Sequence, residues 1–139
     1  MPNHLHLLLH YASVGQSLNT IVGNGKRFMA YDIVKRLEHQ EQWQMLEKLQ
    51  EAVEPTDRKR GKKHEIWEDS FDVKECRTEK FILQKLNYIH NNPCAGKWRL
   101  ADNLIHYWHS SASFYISGKM SGYPVRDYRE LMNIDQYDV

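Results

Sequence analysis

Two histidines separated by a single leucine, His4 and His6 in "MPNHLHLLLH", stand in an otherwise apolar run at the start of the chain. On extended backbone the Cα atoms of such a pair lie about 6.5 to 7 Å apart and their side chains point the same way. Two imidazoles so placed can converge on one cation. An isolated H-x-H is a weak signal, since most such pairs are polar positions on a half-exposed strand. A second stretch, "LNYIHNNP" from Leu86 to Pro93, carries Tyr88 four residues before Asn92. At 100° per residue Phe81, Lys85, Tyr88 and Asn92 share one helix stripe, bordering the apolar stripe of Ile82, Leu86 and Ile89. The ordinary account is a tyrosine that packs its ring and exposes its hydroxyl, followed by an Asn-Asn-Pro helix stop. His90 points well away from Tyr88 and is expected to be a cap or surface residue.

The elements that must hold these residues follow from the hydrophobic pattern. His4 to Tyr11 is too short for a typical helix and is bounded by Pro2 and the Ser13/Gly15 turn residues, which predicts a strand. Leu5, Leu7 and Leu9 share one face and are expected to meet a core; His4, His6, Leu8 and His10 share the other. Helical spacing begins near Gln16, with Ser17 as N-cap, and continues through Ile33, Leu37, Leu46, Leu49 and Val53. Gly23 and Gly25 predict a bend or a close backbone approach, so this stretch is expected to be two helices. Pro55 closes it, and a polar connection follows with the densest positive charge in the chain: Arg58, Lys59, Arg60, Lys62 and Lys63. "IWEDSFDV", Ile66 to Val73, predicts a second strand with Trp67, Phe71 and Val73 on one face. A helix is predicted from about Thr78 to Asn91, stopped by Pro93. "HYWHSSASFYISG" fits a short helix or a strand, and the C-terminal stretch a turn and one or two helical turns.

Composition bounds the class. The 139 residues are 41% hydrophobic and 12% aromatic, which fits one soluble globular domain. The 19 basic and 18 acidic side chains nearly cancel, so any nucleic-acid footprint must be local. Cys76 and Cys94 lack metal-ligand spacing and read as reduced thiols. That pattern also argues against a structural zinc module. No apolar run approaches the ~20 residues of a membrane span, and no signal peptide is evident; a cytoplasmic protein without membrane contact is expected.

"MPNHLHLLL" and "YIHNNP", in this order, with "SLNTIVGNGKRFMAYDI" after the first and "IWEDSF" before the second, resemble the HUH single-tyrosine transposases. The nearest likeness is to REP-associated tyrosine transposases and related insertion-sequence enzymes, and it runs from Met1 to about Ser113. The resemblance implies a DNA transposase that nicks and rejoins single-stranded or hairpin DNA, using one tyrosine and one divalent cation, Mg²⁺ or Mn²⁺. Position by position, His4 and His6 match the metal-binding histidines, Tyr88 the nucleophile, and Asn92 a polar residue able to supply a third ligand. Such a mixed nitrogen and oxygen set suits a cation that polarises a phosphate. Tyrosine, with a free pKa of about 10, needs such help to attack at neutral pH. Attack would leave a 5′-phosphotyrosine and a free 3′-hydroxyl. Lys85, one turn before Tyr88, could assist electrostatically. Lys26 and Arg27 match a basic pair on the family's first long helix, and with Arg58, Lys59, Arg60, Lys62 and Lys63 they are candidates to hold phosphates. Trp67, Trp98, Tyr107 and Trp108 are candidates to stack unpaired bases.

The implied fold is α/β (α+β): a ferredoxin-like sandwich, with helices packed on a largely antiparallel sheet. In the family the metal-bearing strand follows another strand and a helix, whereas Met1 here begins almost on the motif. The expectation is a single transposase domain over 1–139 lacking its first strand and helix. The exposed strand edge left behind would favour self-association, a homodimer among the outcomes. Two function classes follow: a catalytic transposase, favoured by intact His4, His6, Tyr88 and Asn92, and a non-catalytic, degenerate or domesticated hairpin-DNA-binding remnant.

Overall fold

Thr78 has extended backbone and its hydroxyl accepts a hydrogen bond from the Phe81 N–H at 3.3 Å, an N-cap that starts helix Glu79–Asn91. Glu79 in the first turn suits the helix dipole. At the far end Asn92–Cys94 tightens into a 3-10 turn, because Pro93 has no amide proton to continue the α-helical ladder. The computed structural model describes residues 3–11, 15–68, 71–119 and 122–134. Over these the α-helices are α1 (Leu18–His39), α2 (Trp43–Glu51), α3 (Pro55–Lys59), α4 (Glu79–Asn91), α5 (Ala112–Ser117) and α6 (Tyr128–Ile134). The chain divides into two compact units, one of Met1–Tyr11 with Lys74–Val139 and one of Ala12–Val73.

The first unit is built around α4. Ile82 and Leu86 are buried with Tyr128 of α6, and Leu8, Cys76 and Tyr115 pack against them. Ala112, the first residue of α5, is fully buried, and α5 ends on Gly118, whose φ of 67° is left-handed and suits a residue without a side chain. In the second unit α1 runs unbroken through Gly23 and Gly25. It starts where expected, since the Ser17 hydroxyl accepts from the Thr20 N–H at 3.2 Å. No residue of α1 is buried, and only Leu46 is in α2. Pro55 does not merely end the preceding helix: it occupies the first turn of α3, where its missing N–H costs nothing.

The expected sandwich is absent. No strand forms among the described residues, so the α/β ferredoxin-like fold with an antiparallel sheet is corrected to a helical one. Residues 4–11 and the described part of 66–73 carry no regular secondary structure, with a bend at Trp67; a strand needs a partner ladder, and alternation within one segment cannot supply it. The orientation of the first segment is also the reverse of that expected. Leu5, Leu7 and Leu9 are 52%, 58% and 51% exposed, while Leu8, on the histidine face, meets the core. His6, two positions from Leu8, is half-buried as Leu8 is, whereas His4 stays exposed. No helix among the described residues is long and apolar enough to cross a membrane.

Candidate functional site

His6 and Asn92, eighty-six positions apart, are joined by a hydrogen bond of 2.8 Å from the Asn92 amide nitrogen to His6 Nε2. The His6 ring meets the His4 ring edge-on, with centroids 4.9 Å apart, and the Tyr88 ring edge-on at 5.6 Å. All four belong to the first unit. The segment 4–11 delivers the histidines, and α4 delivers Tyr88 and, just past its last turn, Asn92. Tyr88 is 59% exposed, so its side chain is open to solvent.

The imidazole protons are placed for ligation. His4 Nδ1 lies 2.9 Å from Asn3 Oδ1. An amide oxygen can only accept, so the proton sits on Nδ1 and the Nε2 lone pair is left for a ligand. His6 Nε2 is likewise unprotonated, its lone pair engaged by the Asn92 N–H in a hydrogen bond that a bound cation would have to displace. Burial, then the neighbouring His4, lowers the His6 pKa below 6.5 and keeps the ring neutral. Two imidazoles beside an amide fit a divalent cation of the Mn²⁺ or Mg²⁺ type, with His4, His6 and Asn92 as the side chains that would hold it. Among the described residues no group of three or more His, Cys, Asp or Glu side chains could hold a metal.

Lys85 is less committed to Tyr88 than expected: its ammonium lies over the Phe81 ring, 4.9 Å from the centroid. His90 is not a surface residue. It is 4% exposed, and its Nε2 is 2.9 Å from Ser111 Oγ. Burial lowers its pKa below 6.5. Tyr115 stacks at a tilt on the other side, centroids 5.7 Å apart, and the Tyr128 hydroxyl donates to Glu79 Oε1 at 3.3 Å. α4 is thus gripped near both ends on the face opposite Tyr88. The sequence held a signal for His90: Ile82, Leu86 and His90 recur at four-residue spacing on one stripe.

The basic candidates other than Lys85 all lie in the second unit, and several are already engaged. Lys26 donates its ammonium to the Glu68 carbonyl, and the Trp67 indole N–H donates to the Lys26 carbonyl at 2.9 Å. Trp67 is therefore a packing anchor for α1. Arg27 lies over the Phe28 ring, 5.1 Å from its centroid. Arg58 donates to the carbonyls of Gln50 and Val53 at 3.0 and 3.3 Å, satisfying groups at the end of α2. Lys62 pairs with Glu65 at 2.5 Å and Asp57 at 3.3 Å, and hydrogen bonding to Glu65 raises its pKa. Arg60 approaches Asp57 at 3.6 Å. Lys59 and Lys63 are exposed. A shallow hollow between α2 and α3 is lined by Val53, Pro55, Arg58 and Lys59 and contains none of the candidate catalytic side chains. Comparison of the chain with family profiles, with curated proteins and with solved structures finds no match.

Proposed function

We propose that the chain is a DNA transposase of the single-tyrosine type, which nicks single-stranded or hairpin DNA and transfers the strand with Tyr88 as nucleophile. The observation that supports this most is the convergence on one spot of His6, Asn92 and Tyr88, brought together from segments more than eighty residues apart by a 2.8 Å contact and an edge-on ring contact. A core that merely needed filling has no use for that set on an exposed face. In the proposed reaction the Tyr88 phenolic oxygen attacks the scissile phosphorus. The bond from phosphorus to the 3′-oxygen breaks, that oxygen takes up a proton, and the phosphate remains on Tyr88 as a 5′-phosphotyrosine. Attack by a 3′-hydroxyl in the reverse sense rejoins the strand, so no external energy source is required. Bound Mg²⁺ or Mn²⁺ would supply Lewis-acid polarisation of the phosphate. Asn92 and the edge of His6 orient the neighbourhood of the tyrosine, and its exposure admits the backbone.

The test is a covalent adduct. Incubation of the protein with a single-stranded hairpin oligonucleotide and Mn²⁺ should give a protein-DNA species that survives denaturing electrophoresis and carries the DNA 3′ of the nick. Tyr88→Phe keeps the ring and removes the attacking oxygen, so it should eliminate the adduct while leaving the melting temperature nearly unchanged. An adduct that persists in Tyr88→Phe, mapping to Tyr31, Tyr107 or Tyr115, would overturn the assignment of Tyr88. Absence of any adduct from the folded protein with either cation would overturn the catalytic function.

A further inference from the structure

The chain leaving Asn92 forms a small closed loop. The Leu100 N–H donates to the Pro93 carbonyl at 2.7 Å and the Ala101 N–H to the same oxygen at 3.4 Å, while the Ala95 N–H returns to Asn92 O at 3.2 Å. Between these ties the backbone turns through Gly96 at φ 66° and Arg99 at φ 33°. The left-handed region is sterically unfavourable for arginine, so the closure holds it there at a cost. At the tip Lys97 and Arg99 are exposed and Trp98 is 43% exposed. The Lys97 ammonium lies over the indole, 4.9 Å from the ring centroid. A large aromatic face flanked by two cations is thus displayed on a pre-formed loop, tied at its base to the residue next to Asn92.

We infer that the tip Lys97-Trp98-Arg99 is a single-stranded DNA subsite, in which Trp98 stacks on one unpaired base while Lys97 and Arg99 hold the adjoining phosphates. The inference rests on the function proposed above in taking DNA as the ligand. Charge selects the occupant: a cation–aromatic–cation tip repels a basic partner and offers an acidic peptide no use for the exposed ring. A strand with alternating phosphates and bases satisfies both features. Stacking is tolerant of base identity, so the subsite would retain a strand without reading its sequence. Because the loop closes on Pro93, its position is fixed relative to Asn92, and strand retention is coupled in space to the end of α4.

The experiment measures equilibrium binding of a fluorescently labelled oligothymidine strand of about 15 nucleotides, which has no hairpin, to the full chain by anisotropy. EDTA removes divalent cations, so catalysis plays no part. Trp98→Ala should weaken binding about tenfold or more, whereas Trp98→Phe, which keeps an aromatic face, should retain most of the affinity. Lys97→Ala and Arg99→Gly should each lower the slope of log affinity against log salt by about 0.7. Glycine accepts the backbone angle of Arg99, so the second variant keeps the loop. Unchanged affinity in Trp98→Ala would overturn the inference, as would equal competition by a duplex of the same length or failure of the wild type to bind the strand. Tyr88→Phe should bind as the wild type does. A protein that binds the strand through Trp98 yet forms no adduct would leave this inference standing and remove the catalytic proposal. An adduct formed at wild-type rate and affinity by Trp98→Ala would do the reverse.

Discussion

The Asn3 amide oxygen fixes the proton of His4 on Nδ1, and the His4 ring meets that of His6 edge-on. If His4, His6 and Asn92 hold a cation, His6→Ala leaves one imidazole and one amide, and calorimetric titration should show Mn²⁺ affinity reduced at least about tenfold. Asn3→Ala should weaken it by a similar factor through loss of the fixed tautomer. Wild-type affinity in both variants would dismiss the metal assignment. On the opposite face of α4, His90 makes a separate prediction. Its folded pKa lies below the ordinary 6.5 because it is buried. Above pH 6.5 both states are neutral and the group is indifferent to pH. As pH falls from 6.5 toward the folded value, the unfolded chain takes up a proton that the folded one excludes, and stability is lost. Each unit of depression is worth about 1.4 kcal/mol. Urea midpoints should therefore fall between about pH 7.5 and 5.5 more steeply in the wild type than in His90→Gln. Parallel declines would show that His90 is not the group responsible.

At the scale of elements, α1 and α4 are held by different means. Helix α4 buries Ile82, Leu86 and His90 and is capped by Thr78, whereas α1, though longer, buries none of its residues. Most helical stability in proteins comes from packing an apolar face, so length does not compensate for that difference. Amide hydrogen exchange should find the central amides of α4 far better protected than those of α1. Equal protection would mean that α1 is stabilised by something other than its own contacts. The Ser17 cap accounts for one of the few specific tertiary-independent restraints on α1, and Ser17→Ala should destabilise the helix by about 1 kcal/mol, read as lower helical ellipticity on mild heating. In the stretch after Pro55, Arg58 satisfies carbonyls of the preceding turn and Lys62 is drawn between Asp57 and Glu65, while Lys59 and Lys63 stay exposed.

At the scale of the whole molecule, the chain packs as two units, the first assembled from both ends of the sequence and the second from the segment between. Within the first, the helix from Glu79, its Thr78 cap and its stop at Pro93 were all legible, because capping, periodicity and proline act over a few residues. So were the Ser17 start of α1 and the spacing that sets Tyr88 and Asn92 on one stripe. The sheet was not legible: alternation in 4–11 and 66–73 describes a surface that could pair, and pairing depends on a partner that neither segment contains. Nor was the face that turns inward. Leu5, Leu7 and Leu9 outnumber Leu8, yet Leu8 is the one packed against the cluster of Ile82, Leu86 and Tyr128, and of the histidines near it only His6 is half-buried. By itself, then, the sequence determined the short-range features: which residues could ligate, which could attack, and where α4 begins and ends. Only the tertiary structure decided that His6 meets Asn92 and that His90 is buried against Ser111, because contacts between distant segments depend on how whole faces pack.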